Sequence, residues 1–353
     1  MNEMKMAQVA AMPKQFKTGV LIVNLGTPDS PSVPDVRKYL REFLMDGRVI
    51  DVPPLFRWLL VNCIIAPFRA PKSAKTYQEL WEDRGSPLKF YGEDVERMLQ
   101  TSLGDEYEVR LAMRYQNPSM DVVLEDFRKG GFRKIIIIPF FPQYASATTG
   151  SVYEKAMAIM SEWLIVPEVT FVNTYYDHPK FTEHFVTAAQ NYMEKQKYDF
   201  FLFSYHGVPE RHIKNGDCTG KVCQLGSCCN SITPMNQYCY RAQCHETTRL
   251  MVKELGLKEG TYMTTFQSRL GKDPWIQPYT EDTLKQLAKD GKKSILAFSP
   301  AFVADCLETT IEVGEEYKEV FEELGGEHLQ LVESLNNSAI WVELLEDLVI
   351  KNS

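Results

Sequence analysis

Six of the eight cysteines in the sequence lie between Cys218 and Cys244: Cys218, Cys223, Cys228, Cys229, Cys239 and Cys244. Their neighbours are rich in Gly, Asn, Ser, Thr and Pro, which makes 214–245 an inserted loop rather than a strand–helix unit. Apolar partners are too few for these to be scattered core thiols. Structural disulfides are disfavoured in a reducing compartment, so metal binding is the reading that remains. Zinc and an iron–sulfur cluster both take about four thiolates. The spacing contains no C-x-x-C zinc pair, which leans toward iron–sulfur.

A second set of candidates is spread more widely. His206 follows the apolar run 200–205 and precedes Gly207, which puts its ring at the end of a strand. Alone, such a histidine is more often structural than catalytic. Asp305 and Glu308 are three residues apart and are expected to share one face of the helix they begin. Alone, they read as first-turn acids favoured by the helix dipole. Facing each other across a cleft, His206 and Glu308 could bind a divalent cation or relay protons. No G-x-G-x-x-G follows a strand and no G-x-x-x-x-G-K-[ST] occurs, so a dinucleotide enzyme is unsupported. Thr148-Thr149-Gly150-Ser151 could open a helix toward an anion, although a plain N-cap is the better explanation of that run alone.

These residues need elements to position them. Continuous apolar, β-branched or aromatic runs at 20–25, 134–141, 169–175, 200–205, 262–266, 294–298 and 329–332 read as buried parallel strands, with a weaker one at 107–113. Helical patterns lie between them, for instance at 179–195, 281–289 and 307–323. The alternation predicts an α/β fold of two doubly wound Rossmann-like lobes with parallel sheets, hinged near 171–175. A TIM barrel, which also needs eight strands, is the runner-up. Ligands of open parallel sheets bind at the carboxyl edge, where most of the candidates fall.

Bulk composition narrows the class. The 353 residues suggest about two domains. The 44% hydrophobic and 24% charged content is that of a soluble globular protein, and the net charge of -8 weighs against nucleic-acid binding. Residues 1–16 are polar and lack the apolar stretch of a secretory signal, and no run reaches the roughly 18 apolar residues of a membrane span. The most apolar stretch, 55–66, is broken by Arg57 and Asn62. It reads first as a buried helix and second as an exposed lip that meets a membrane surface or apolar ligand. Cytoplasm is the expected compartment, with peripheral contact to the inner face of the membrane if the lip is exposed.

Six segments, taken in order, resemble the ferrochelatases. They are Leu21-Ile22-Val23-Asn24-Leu25-Gly26-Thr27-Pro28, Ala112-Met113-Arg114-Tyr115, Phe141-Pro142-Gln143-Tyr144 with Thr148-Thr149-Gly150-Ser151, Ser204-Tyr205-His206-Gly207-Val208-Pro209, Phe266-Gln267-Ser268-Arg269 and Asp305-Cys306-Leu307-Glu308-Thr309. The resemblance runs from about Thr18 to the last helix. It implies a lyase that inserts ferrous iron into protoporphyrin IX in the terminal step of haem biosynthesis. It also implies a first lobe of 18–172 joined by a returning helix at 336–353, and a second lobe of 173–335 that carries the insert. His206 would accept pyrrole protons or bind the iron, with Glu308 as its partner and Asp305 in the adjoining acidic path. Arg114, Tyr115 and Leu25 would form the opposite wall, and Arg69, Tyr77 and Ser86 would meet porphyrin propionates.

Two departures qualify the resemblance. Relatives with an animal-type cluster place one cysteine where Ser146 stands and three in a C-terminal tail, whereas this sequence ends Lys351-Asn352-Ser353. The insert resembles instead a bacterial subgroup with an internal [2Fe-2S] cluster. Cys223, Cys228, Cys229 and Cys239 are the expected ligands. Adjacent residues on an extended chain point to opposite sides, so Cys218 and Cys244 are the alternates if Cys228 or Cys229 is a bystander. The second departure is Cys306, where many relatives have histidine. Rival functions are a coproporphyrin ferrochelatase, a cobalt or nickel chelatase of another tetrapyrrole, a non-catalytic carrier of haem or metal, and a zinc-ribbon module in the insert.

Overall fold

The computed structural model describes residues 17–269, 271 and 273–353. The polar segment 1–16, on which the absence of a secretory signal was read, lies outside the described residues. Among the described residues, eight strands form two open four-stranded sheets rather than a closed barrel. The first holds β1 (Thr18–Gly26), β2 (Tyr107–Tyr115), β3 (Lys134–Pro139) and β4 (Glu168–Phe171), in the order β2-β1-β3-β4. The second holds β5 (Phe200–His206), β6 (Tyr262–Gln267), β7 (Ser294–Phe298) and β8 (His328–Leu331), in the order β6-β5-β7-β8. Every pairing is parallel.

Burial explains why the central strands are so apolar. Val20 to Val23 in β1 and Ile135 to Ile138 in β3 are fully covered, because helices pack on both faces of a parallel sheet. Each sheet has its switch point between its first and third strands. In each lobe the chain goes first to one side, then crosses to the other. Clefts therefore open beyond β1 and β3 in one lobe and beyond β5 and β7 in the other. His206 ends β5, and 299–302 follows β7.

One apolar core joins the lobes. Trp341, on the final helix Ala339–Lys351, is wholly buried, with ring centroids 5.2 Å from Phe140 and 5.6 Å from Tyr175. That helix packs on Pro87–Leu103 and on Pro179–Lys195. Gly26 ends β1 at φ +119°, and a Cβ there would sit 2.0 Å from the Tyr115 carbonyl oxygen. Only glycine lets β1 and β2 close at their ligand edge.

The stretch 55–66 is not the buried helix of its first reading. A helix at Pro54–Leu59 runs into a π-helix at Leu60–Ile65 and then into Ala66–Leu80. Leu55 is 68% exposed and Phe56 66%, and Trp58, Leu59, Ile64 and Phe68 are also exposed. The small or branched residues Val61, Ala66, Ala70 and Ala74 make the inward seam, so the bulky ones are left outside. No helix among the described residues is long and apolar enough to cross a membrane.

Candidate active site

The second-lobe wall is built on the end of β5. His206 is half-buried, and its Nδ1 lies 2.6 Å from the carbonyl oxygen of Gly207. A carbonyl only accepts, so Nδ1 carries the proton and the Nε2 lone pair is left free. The rings of Trp275 and Phe302 lie 6.3 and 6.4 Å from the imidazole. Gly207 is required here, since a Cβ would meet the Gln267 carbonyl at 2.7 Å and the Trp275 ring at 3.0 Å.

Gln267 is the register partner of His206 on β6, and it connects the histidine strand to the acidic helix. Its Oε1 accepts from Ser204 Oγ at 2.7 Å. Its Nε2 donates to the Glu308 carbonyl at 2.7 Å and to Glu312 Oε2 at 3.0 Å. Ser268 and Tyr317 also donate to the Glu312 carboxylate, at 2.6 and 2.8 Å. Glu308 and Glu312 lie on a π-helix, Leu307–Glu316, that continues as the α-helix Tyr317–Glu323. The sequence pattern gave one α-helix over 307–323, because periodicity alone does not register a widened turn. Beyond Glu308 stand Tyr39 and Tyr77. Burial first, and the nearby Glu308 charge in addition, hold both phenols well above their ordinary range.

Asp305 is placed differently from its expected position. The helix starts at Leu307 with Cys306 as its cap, so Asp305 lies outside it and shares no helix face with Glu308. Its Oδ2 accepts from Asn336 Nδ2 at 2.8 Å and its Oδ1 from the Ser334 amide at 3.3 Å. The carboxylate shapes the loop after β8. Cys306 is buried, and burial pushes its thiol far up, so it is a neutral group beside Glu308.

The first-lobe wall is closed on itself. Arg114 Nη2 meets Asp46 Oδ2 at 2.6 Å, and its Nε donates to Ser151 Oγ at 2.7 Å. Tyr115 and Ser151 donate to the same Asp46 oxygen at 2.9 and 2.5 Å. Burial opposes the Asp46 charge, but these donors, the Arg48 amide and the Arg114 guanidinium hold its carboxyl below the usual range. Tyr115 has no exposed surface and sits beneath the wall rather than on it. Tyr77 and Ser86 are also buried. Tyr77 packs edge-on to Tyr39, and Ser86 caps Pro87–Leu103 and accepts from Thr27 Oγ1 at 2.9 Å. Leu25 is half-buried at the end of β1, and Arg69 is exposed on the lip helix.

A cavity of about 610 Å³ opens between the lobes, lined by Arg48, Tyr144, Ser146, Asn173, His212 and Tyr238 among others. The last of these belongs to the cysteine insert. In the insert, the Cys228 and Cys229 sulfurs lie 3.9 Å apart. Cys229 also contacts the Cys239 thiol, which is held below its usual range by that hydrogen bond. Cys223 adjoins Cys228 and Cys229. Cys218 is exposed at the edge, and Cys244 is wholly buried in the helix Tyr240–Leu255. Among the described residues no three His, Cys, Asp or Glu side chains are already gathered around one metal position.

Several site residues were not anticipated. Glu312 had a legible signal, an acid four residues after Glu308. Gln267 lies within one of the ferrochelatase-like segments, but its link to Glu308, like the contacts of Trp275, Phe302 and Tyr39, joins distant segments that no local pattern announces.

The ferrochelatase family model matches residues 17–353. A curated ferrochelatase of Coxiella burnetii (strain Dugway) is 42% identical over 348 residues, covering 99% of this chain and 97% of that protein. One of Legionella pneumophila (strain Paris) is 43% identical over 334 residues, covering 95% and 99%. Among solved structures, SirB from Bacillus subtilis with Fe3+ aligns over 95% of both chains with a TM-score of 0.52 at 12% identity, a likeness of fold alone.

Proposed function

The chain belongs to the ferrochelatase family, and from that premise we propose how its residues divide the work of inserting ferrous iron into a porphyrin. The enzyme is a lyase whose substrates are a porphyrin and Fe2+. Metallation requires two pyrrole N–H protons to leave while iron sheds water. His206 supplies the proton acceptor, because its Nδ1 is spent on the Gly207 carbonyl and its Nε2 is free. That observation carries the assignment. Glu308 takes the proton onward or steadies the arriving iron, and Glu312 lies one turn behind it, held by Gln267, Ser268 and Tyr317. Trp275 and Phe302 offer flat apolar walls to the macrocycle.

His206→Ala tests this reading. Turnover, followed by loss of porphyrin fluorescence, should fall by about 10²–10⁴-fold while porphyrin binding survives. Near-normal turnover would sink the assignment. Protoporphyrin IX is the substrate of this reading, favoured over coproporphyrin by the apolar lip of Leu55, Phe56 and Trp58, since coproporphyrin carries carboxylates where protoporphyrin has vinyl groups. Parallel assays with both porphyrins separate them. Assignment to a cobalt or nickel chelatase is not favoured by a ferrochelatase match over nearly the whole chain. The exposed lip also supports peripheral contact with a membrane from the cytoplasmic side.

The insert is read as a [2Fe-2S] site on Cys223, Cys228, Cys229 and Cys239. The thiols suffice in number, and one pair of them is already close. The 3.9 Å between Cys228 and Cys229 sulfurs is near the roughly 3.8 Å edge of a thiolate tetrahedron with about 2.3 Å bonds. When bound, the group would cross-link the insert. Anaerobically purified protein should be coloured, with about two irons and two sulfides per chain. Stoichiometric zinc without visible absorbance would remove the cluster and leave the chelatase assignment standing.

A further inference from the structure

We propose that Tyr240 is a positioning residue for metallation: its hydroxyl fixes the main chain of His206 and ties it to the cysteine-bearing insert. The inference rests on His206 being the proton acceptor, and does not require a cluster in the insert.

His206 is the last residue of β5, where the ladder to β6 ends in the bond from the Gly207 amide to the Gln267 carbonyl at 2.9 Å. At that point the Tyr240 hydroxyl donates to the His206 carbonyl at 2.8 Å. The His206 ring is oriented by a bond to the next carbonyl along, that of Gly207. The two carbonyls belong to consecutive peptide units joined at the Gly207 Cα, so rotation of that segment would disturb both bonds together. Holding the first carbonyl therefore holds the ring, its tautomer and the direction of the free Nε2.

Tyr240 is well placed to hold it. It is buried at the first position of the helix Tyr240–Leu255, whose cap is Cys239. One turn on, the Cys244 thiol is in hydrogen-bond contact with the Tyr240 side chain. The helix start is itself anchored to the first lobe. Gln243 Oε1 accepts from the Tyr144 amide at 2.6 Å, and its Nε2 donates to the Gln237 carbonyl at 2.5 Å. The insert, the loop after β3 and the strand that ends in His206 thus meet at the start of one helix.

Tyr240→Phe removes a single oxygen and keeps the ring. Turnover number should fall by about tenfold, because a misplaced catalytic group loses rate steeply. The KM for porphyrin should stay within about twofold, since the walls at Trp275 and Phe302 are untouched. Thr248→Val is the control, as it removes buried bonds to Tyr205 and Thr264 from the same helix without touching the His206 carbonyl. It should leave turnover within about twofold at comparable loss of melting temperature. Unchanged turnover in Tyr240→Phe, or an equal fall in Thr248→Val, overturns the proposal. Should Tyr240→Phe fail to fold, Cys244→Ala tests the same chain one link away. A roughly threefold fall in turnover supports the proposal there, and no change overturns it. His206→Ala is assayed alongside. If it is inactive while Tyr240→Phe is normal, only the positioning role fails, and if it is active, the reading beneath fails too.

Discussion

The two walls of the cleft carry similar residue types in opposite states. In the first lobe, Arg114, Tyr115 and Ser151 all close on Asp46, and the charges cancel inside a buried network. In the second, His206 keeps a ring nitrogen free, while Glu312, rather than Glu308, collects the hydroxyl donors. A satisfied network resists change, and an unsatisfied one has capacity to exchange protons or accept iron. On the proposed assignment of His206 and Glu308, the first wall holds shape and the second carries out the chemistry.

Glu308→Gln should give the largest effect on that contrast. The amide keeps the size of the side chain but cannot accept a proton, so turnover should fall by about 10²-fold or more. Its melting temperature should stay close to the parent value. Turnover within a few-fold of the parent would move the chemistry to another group, Glu312 being the first to examine.

Asp46→Ala should do the reverse. It leaves the Arg114 guanidinium largely buried without its partner, which costs about 3–5 kcal/mol in such settings. Denaturant melts should record the loss, while turnover per folded molecule stays within several-fold. A stable Asp46→Ala protein without turnover would make the first wall chemical and erase the distinction.

Acid sharpens the same distinction. The folded-state pKa of Asp46 is depressed, so its contribution is fully present above the unfolded value of about 3.9 and is lost as pH falls through the lower folded value. Melting temperature should therefore decline more steeply below about pH 4 in the parent than in Asp46→Asn, which has no carboxylate there to protonate. Parallel curves for the two proteins would show that Asp46 is not held low.

How far the sequence could be read depended on the range of the contacts. The strands β1 and β3 were legible because burial on both faces leaves an unbroken apolar run, and two such sets divided the chain into lobes. The end-of-strand position of His206 was legible for the same reason. Asp305 was misplaced because its partners, Ser334 and Asn336, come from a loop beyond β8, and nothing near Asp305 signals them. The lip was misjudged because periodicity marks an apolar stripe without saying which side faces the core. There alanines and Val61 make the contact, and the larger side chains are left over.

The smallest predicted effect concerns that lip, and a second exposed patch provides its comparison. Leu164 and Ile165, before β4, are 105% and 84% exposed, so bare hydrophobicity does not single out the lip. Their surroundings differ. Exposed Arg69, Lys72 and Lys75 follow the lip, whereas exposed Glu162 and Glu168 flank the second patch. The surface of an anionic bilayer attracts the first arrangement and repels the second, by about 1 kcal/mol for each basic residue near the surface. Both patches lie on the first lobe, but the second precedes β4 at the amino edge of its sheet, away from the ligand edge. Phe56→Ser should therefore weaken binding to vesicles containing anionic lipid by roughly five- to tenfold, the worth of about 1–1.4 kcal/mol of apolar contact. Ile165→Ser should leave binding unchanged, and both proteins should retain turnover with soluble porphyrin. Equal losses in the two variants would mean that the protein meets membranes by general stickiness rather than by the lip, and vesicles without anionic lipid should then bind it just as well.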